Sequence, residues 1–210
     1  MKIIQLKSID STQQYMISNI KNGNIRPPTC VFTTKQYAGI GSRGDEWVEA
    51  DEGFYFSFCI SKTFLPYDLK PQSTSIFFGF LFKECLNTIG SKVWLKWPND
   101  IYLSKNKVGG VLCNILNDIV VCGIGLNILS SKFGCLENNI KINNKSLLNN
   151  LFNSIADNTW GDVYSKYILE FDKNYPFSFR SSDRKIQFKG AKLLSDGSIL
   201  VDNETFYSNR

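Results

Sequence analysis

Between Lys96 and Gly110 the chain reads KWPNDIYLSKNKVGG, with Lys96, Lys105 and Lys107 set around an Asn99-Asp100 pair that follows Pro98. Pro-Asn-Asp is a turn signal in its own right, and a polar loop joining two strands accounts for it. Three ammonium groups so close together also suit a pocket for an anion. A second segment, GIGSRG at 39–44, has three glycines in six residues. Such a loop can present backbone N–H groups to an anion, with Arg43 adding charge; a plain flexible loop fits equally. The segment matches GxGxxG, but a dinucleotide fingerprint needs a helix opening at the last glycine. Here DEWVEADEGFYFSF follows, which has no helical period. Dinucleotide binding of that kind is therefore excluded. Histidine is absent, which removes Ser-His and Cys-His catalysis and His-ligated zinc. The handling of anions by lysine, arginine and amide groups needs no histidine.

These residues need elements to hold them. Asp10 or Ser11 can cap a helix reaching about Ile20, with Gly23 as its stop. KIIQL, CVFTTKQY (30–37), FYFSFCI (54–60) and KVWLKW read as strands. STSIFFGFLFKECLNTIG repeats Phe78, Phe82, Cys85 and Ile89 at helical spacing and predicts a buried helix closed by Gly90. KVGGVLCNIL and IVVCGIGLNIL flank Asn117-Asp118, a two-residue hairpin turn. In these strands VGG suits a bulge and GIGLN a strand end, with Asn127 in a turn. SSKFGCLENNIKINN is polar and reads as a mobile loop. Two helices follow, the second with Trp160, Val163, Tyr164, Tyr167, Ile168 and Phe171 on one face. The tail from about 181 to 210 shows short alternating runs broken by SDGS and DNE. It is too short to hold a core alone and should pack on the main body.

At 210 residues, 43% hydrophobic and 20% charged, the chain is an ordinary globular one, and its net charge of +5 is diffuse. No concentrated basic face points to nucleic acid, and no apolar run is long enough to span a membrane. The opening residues lack the pattern of a signal peptide. The six cysteines form no CxxC pair, so they read as small buried hydrophobes in a reducing cytoplasm.

Taken in order, DST at 10–12, Gln36 with the glycine-rich loop and Trp47, KWPND, KVGG and GIGLN resemble the biotin–protein ligase family. The resemblance spans about residues 8–128 and continues more loosely to the C-terminus. It implies an α+β fold: a mixed β-sheet with helices on one side in residues 1–180, and a short SH3-like β module in 181–210. It implies ATP-dependent formation of biotinoyl-AMP, with Mg²⁺, followed by transfer of biotin to a lysine of a biotin carboxyl carrier protein. The residues implied for biotin are Ser11, Thr12, Gln13, Gln36, Gly39, Ile40, Gly41, Ser42, Lys107, Gly110 and Gly123. Those implied for the nucleotide are Arg43, Trp47, Lys96, Asn99, Asp100, Asn127 and Phe133. Lys107, Asp100 and Arg43 are the implied catalytic groups, and Asp100 also meets Mg²⁺ through phosphate or water. A carboxylate is already ionised at neutral pH, so activating it needs cations rather than a base. The chain departs from the family's pattern at Ile40 and Ser42, where arginines are usual, and in its shortened tail. With DST at residue 10, no preceding DNA-binding domain is expected. The expected partner is thus the carrier protein, without DNA or membrane, in a monomer or weak homodimer. A lipoate or octanoate ligase of the same superfamily, or a non-catalytic biotin- or nucleotide-binding module, are the alternatives.

Overall fold

The computed structural model describes residues 1–208, the side chain of Arg43 excepted. Strand β1 (Lys2–Gln5) leads into helix α1 (Thr12–Lys21), whose first turn is capped by the Ser11 hydroxyl accepting from Gln14 N. Gly23, at φ +74°, ends that turn of chain. Strands β2 (Thr29–Thr33), β3 (Gly39–Ile40), β4 (Glu46–Trp47) and β5 (Glu52–Ser61) follow, then helix α2 (Thr74–Thr88). Next come β6 (Trp94–Lys96), β7 (Asp100–Leu103), β8 (Asn106–Leu116) and β9 (Ile119–Leu129). Helices α3 (Asn144–Asp157) and α4 (Trp160–Tyr167) precede the tail strands β10 (Ser178–Ser181), β11 (Arg184–Gln187), β12 (Lys192–Leu193), β13 (Ile199–Val201) and β14 (Glu204–Phe206).

Seven strands form one sheet in the order β1-β2-β5-β9-β8-β7-β6. Only the β1–β2 pair is parallel, so the sheet is mixed, as expected. Alternation gives this sheet two different faces. Cys30, Phe32, Phe54, Phe56, Phe58, Val120, Cys122, Ile124 and Leu126 point to the side covered by α2, α3 and α4. Their rings interlock there edge to face; Phe58 meets Phe78 with centroids 5.1 Å apart. Val31, Cys59 and Val121 point the other way, onto Met16 of α1. Helices therefore cover both faces rather than one, because α1 is amphipathic enough to bury Met16 while leaving the rest of its face of the sheet open.

Several local expectations change. The second strand stops at Thr33, because Thr33 Oγ1 takes the Lys35 N–H in a turn, and only an isolated bridge between Ile9 and Gln36 continues it. IYL, unassigned from its pattern, lies in β7 and pairs with both neighbours. Asn127 sits inside β9, not in a turn. Ile89 is 38% exposed, because α2 ends at Thr88 and the chain reverses at Gly90 (φ +96°). Ile168 is 42% exposed, since the chain tightens into a 3-10 helix over Ile168–Asn174 and rotates it off the buried face.

The tail forms a β10–β11 hairpin, which spans the 180/181 boundary, and a three-stranded β12-β13-β14 sheet. Both pack into the main core through Phe179, Phe188, Leu193, Ile199 and Phe206. Trp97 is the strut between them and the large sheet. Its backbone N–H donates to Asn174 Oδ1 at 2.9 Å and its indole to Gly197 O at 2.9 Å. Its ring meets those of Phe179 and Phe188.

Candidate active site

The open face beside α1 carries a slot of about 460 Å³, its open mouth included. Its floor exists because side chains are missing. A Cβ on Gly123 would lie 2.5 Å from Gln13 Oε1, and one on Gly125 would lie 2.9 Å from the Trp47 ring. The start of α1 makes one wall with Ser11, Thr12 and Gln13. The glycine-rich segment makes another. Its β3–β4 pair folds over the slot as a small hairpin with a 3-10 turn at Ser42–Gly44, and no helix opens at Gly44.

The deep end is a hydrogen-bonded chain. The Ser57 hydroxyl donates to Thr12 Oγ1 at 3.0 Å, and Thr12 donates to Gln36 Oε1 from its amide at 2.9 Å and its hydroxyl at 3.1 Å. Gln13 Nε2 faces three acceptors: Asn114 Oδ1 at 2.9 Å, Val121 O at 3.3 Å and Leu112 O at 3.5 Å. Those acceptors fix the amide's orientation, so Gln13 Oε1 is turned away from them. It is buried and has no donor. A buried acceptor without a partner is costly, and this one lies against the slot floor.

At the other end stands Lys107. In β8, Val108 and Val111 both belong to the apolar core, while Lys107 and Gly110 both border the slot. Positions three apart share a face in neither regular strand phase. A bulge resolves this: Tyr102 pairs with Lys107 but Ile101 with Gly109, leaving Val108 extra. The bulge reading of VGG and the binding reading are thus one feature, which aims Lys107 at the slot.

Lys107 Nζ lies 2.7 Å from Asp100 Oδ1, and Lys96 Nζ lies 3.6 Å from Asp100 Oδ2. Burial, aided by the Asp100 charge, pushes the neighbouring Tyr102 phenol up to about 12, so it stays neutral. Lys107 also borders two further clefts. One is lined by Trp47, Asn127, Phe133 and Gly134; the other by Lys96, Asp100, Arg180 and Lys185. Three cavities therefore border one lysine.

The expected biotin set lines the slot except Gly39, which stands behind Gln36 and Trp47. Trp47, Asn127 and Phe133 are brought together in the second cleft, and Lys96 and Asp100 in the third. Asn99 is separated from them: its Nδ2 donates to Val111 O at 2.7 Å and its own carbonyl takes the Val111 N–H, stapling the WPND turn to β8. Asn127 Nδ2 likewise holds Gly134 O at 2.9 Å. The Arg43 side chain lies outside the described residues. Ser57, Asn114, Gly125, Arg180 and Lys185 were missed from sequence. Ser57 and Asn114 had a signal, each being a polar residue within an apolar run; the two tail cations had none.

Among the described residues no helix is long and apolar enough to cross a membrane. The family model for the biotin/lipoate A/B protein ligase family matches residues 5–127. The bifunctional ligase/repressor BirA of Escherichia coli is 31% identical over 132 residues, covering 58% of this chain but only 39% of that protein. The biotin acetyl coenzyme A carboxylase synthetase of Helicobacter pylori, solved with biotinylated ATP, is 38% identical. It superposes with a TM-score of 0.94 over 98% of this chain and 99% of that one. The biotin protein ligase of Aquifex aeolicus, at 22% identity and a TM-score of 0.68 over 98% of this chain and 94% of that one, shares the fold. With more than half of its length matched by the family model, and with the fold of that family around its slot, the chain belongs to the biotin/lipoate A/B protein ligase family.

Proposed function

We propose that the chain is an ATP-dependent biotin–protein ligase, acting on a lysine of a biotin carboxyl carrier protein. The observation that carries this reading is the unpartnered Gln13 Oε1 at the deep end of the slot. A ureido head offers N–H donors to that acceptor and a carbonyl to the hydroxyls nearby. A dithiolane or alkyl head offers no donor and would leave the acceptor stranded, a difference that discriminates strongly in buried sites.

Biotin then lies with its head among Ser11, Thr12, Gln13 and Gln36, under Ile40, Gly41 and Ser42, and with its carboxylate at Lys107. The adenosine occupies the cleft of Trp47, Asn127 and Phe133. In the first step a biotin carboxylate oxygen attacks the α-phosphorus, the bond to the β-phosphate oxygen breaks, and pyrophosphate leaves with that electron pair. Lys107 stabilises the negative charge that crowds at the junction, and Arg43 is its proposed assistant. Asp100 positions Lys107 and Lys96. In the second step the carrier's ε-amine attacks the acyl carbon, AMP departs, and Asp100 orients the incoming amine and receives its proton.

No three metal-ligating side chains cluster among the described residues, so Mg²⁺ would arrive on the nucleotide's phosphates, as that ion commonly does. Asp45 and Asp100 border the same cleft and are the carboxylates that would hold it through water, where it would neutralise phosphate charge. Six free cysteines suit a reducing compartment, and we assign the chain to the cytoplasm on that basis.

The test is incubation with ATP, Mg²⁺, biotin and a biotin-domain carrier, reading pyrophosphate release and carrier mass, with lipoate in parallel. Biotin-dependent release and a carrier heavier by one biotinyl group are expected. Equal turnover of lipoate, or no release with biotin, overturns the reading.

A further inference from the structure

Cys113 of β8 and Cys122 of β9 are direct partners in the sheet register, a placement that the other four cysteines lack. The phase of this rung follows from Val111. Its N–H donates to Asn99 O at 2.8 Å and its carbonyl accepts from Asn99 Nδ2 at 2.7 Å, so both of its backbone groups turn toward the β7 side of β8, away from β9. Backbone groups alternate sides along a strand, so those of Cys113 also turn from β9, and the Cys113–Cys122 rung is a non-hydrogen-bonded one. Such rungs bring Cα atoms to about 4.5 Å and side chains closest, inside the range of about 4.4–6.8 Å that a disulfide spans. Cys30 faces the same side, but β5 stands between it and Cys122. Two strand spacings put their backbones roughly 9.6 Å apart, beyond the reach of a disulfide.

Access to the two thiols is graded. Cys113 is half-buried, whereas Cys122 is fully buried, and burial pushes its thiol well up. An oxidant from solvent therefore meets Cys113 first. We infer that Cys113 and Cys122 form an oxidative modification site, which closes to a cross-strand disulfide when a peroxide reaches the chain. The Cys113 sulfur takes one peroxide oxygen to become a sulfenic acid, and water is released. The Cys122 sulfur then attacks the Cys113 sulfur, the S–O bond breaks, and a second water leaves with the Cys122 proton. Two thiols are oxidised and one peroxide is reduced to two waters. A dithiol reductant reverses the closure by exchange.

The rungs on either side are Leu112–Gly123 and Asn114–Val121. Side chains alternate, so the two thiols face the core while Leu112 and Gly123 line the slot. All three acceptors of Gln13 Nε2, namely Leu112 O, Asn114 Oδ1 and Val121 O, sit on these flanking rungs. A disulfide draws the Cβ atoms of its rung from about 5 Å to about 3.8 Å, and the acceptors shift with their strands. Closure thus disturbs the residue that faces the head of biotin. This consequence rests on the ligase reading above; the disulfide itself does not.

The experiment treats the full, reduced chain with hydrogen peroxide, blocks the remaining thiols by alkylation and maps the peptides by mass without reduction. A Cys113–Cys122 linked peptide, lighter by two hydrogens and lost on adding dithiothreitol, is expected. Cys113→Ser should abolish it, and Cys135→Ser, at the other half-buried cysteine, should leave it in place. In the closed chain the KM for biotin should rise several-fold, as a misaligned buried hydrogen bond demands, with the KM for ATP within about twofold; reduction should restore both. The same peroxide treatment should leave the KM values of Cys113→Ser unchanged, which separates closure from damage elsewhere, and circular dichroism checks that this variant folds. A sulfenic acid at Cys113 with Cys122 still free, or a link joining any other pair, overturns the inference. A closed chain with an unaltered KM for biotin overturns its coupling to the slot. Should the reduced wild type release no pyrophosphate from ATP and biotin, the ligase reading fails instead, and the peptide map still decides whether the disulfide forms.

Discussion

The Lys107 ammonium lies 2.7 Å from Asp100 Oδ1 and 5.3 Å from the centre of the Trp47 ring, clamped between a carboxylate and an aromatic face. A cation so fixed needs little reorganisation when charge develops beside it. Lys107→Ala should slow biotin-dependent pyrophosphate release by roughly a hundredfold or more. Lys107→Arg should recover only part, because a planar fork does not replace a point charge. Asp100→Asn should slow the same step about tenfold by loosening both lysines, since the ammonium groups lose the carboxylate that orients them. A folded Lys107→Ala within a few-fold of wild type would remove the junction from the mechanism.

Gly123→Ala tests the slot floor. The added methyl would meet Gln13 Oε1 at 2.5 Å and Ser57 Oγ at 3.1 Å. Because three acceptors hold the Gln13 amide from behind, it cannot swing clear without losing them. The KM for biotin should rise at least tenfold, as buried hydrogen-bond discrimination commonly gives, with the KM for ATP nearly unchanged. Equal increases in both constants would point to a general distortion instead.

The slot was legible in the chain because its chemistry is local: DST, the glycine-rich loop and KWPND each put their functional groups within a few residues. Strands β1, β2, β5, β6, β8 and β9 were legible from apolar runs, and the β8–β9 pairing from the Asn117-Asp118 turn. What escaped was long-range. Nothing near Arg180 or Lys185 in sequence indicates that they approach Lys96. Gly125 and Ser57 become neighbours of the slot only through the β5–β9 pairing. Asn99 reads as a ligand-facing polar residue, yet an Asn whose amide staples the next strand looks the same in sequence. The placement of α1 on the second face was equally silent, because a short amphipathic helix fits either side of a sheet.

Glu137 anchors the segment after β9. Its carboxylate accepts from the Ser91 hydroxyl at 2.7 Å and from the Lys92 N–H at 2.7 Å. Burial pushes its acidity down, but these bonds, with its own amide and the Lys92 charge, outweigh it and hold the carboxyl below its ordinary 4.5. A carboxyl depressed by folding adds stability above the unfolded value, which is lost as pH falls through the folded value. Glu137→Gln should therefore cost about 1 kcal/mol at neutral pH, allowing for partial exposure. The gap from wild type should close below about pH 4.5, read by urea denaturation across pH. A gap that persists unchanged in acid would mean that the loss comes from packing.

The same segment has an unequal grip. Leu136 and Ile140 are buried, whereas Phe133 is 42% exposed at the edge of the cleft that Trp47 and Asn127 also line. We expect biotin and ATP together to slow amide exchange over residues 130–135 and to leave 136–140 unchanged, as an order-on-binding cover would. Uniform exchange with and without ligands would make it a permanently ordered surface loop.

Trp97 sits in the WPND turn yet finds its company far along the chain: the rings of Phe179 and Phe188, the amide of Asn174 and the carbonyl of Gly197. The consequence is cooperative. Tail strands of two to four residues are too short to persist alone and draw their stability from a turn that they in turn keep closed. Unlatching either end releases the other. A chain clipped within residues 178–206 would loosen the WPND turn before any wall of the slot had been touched.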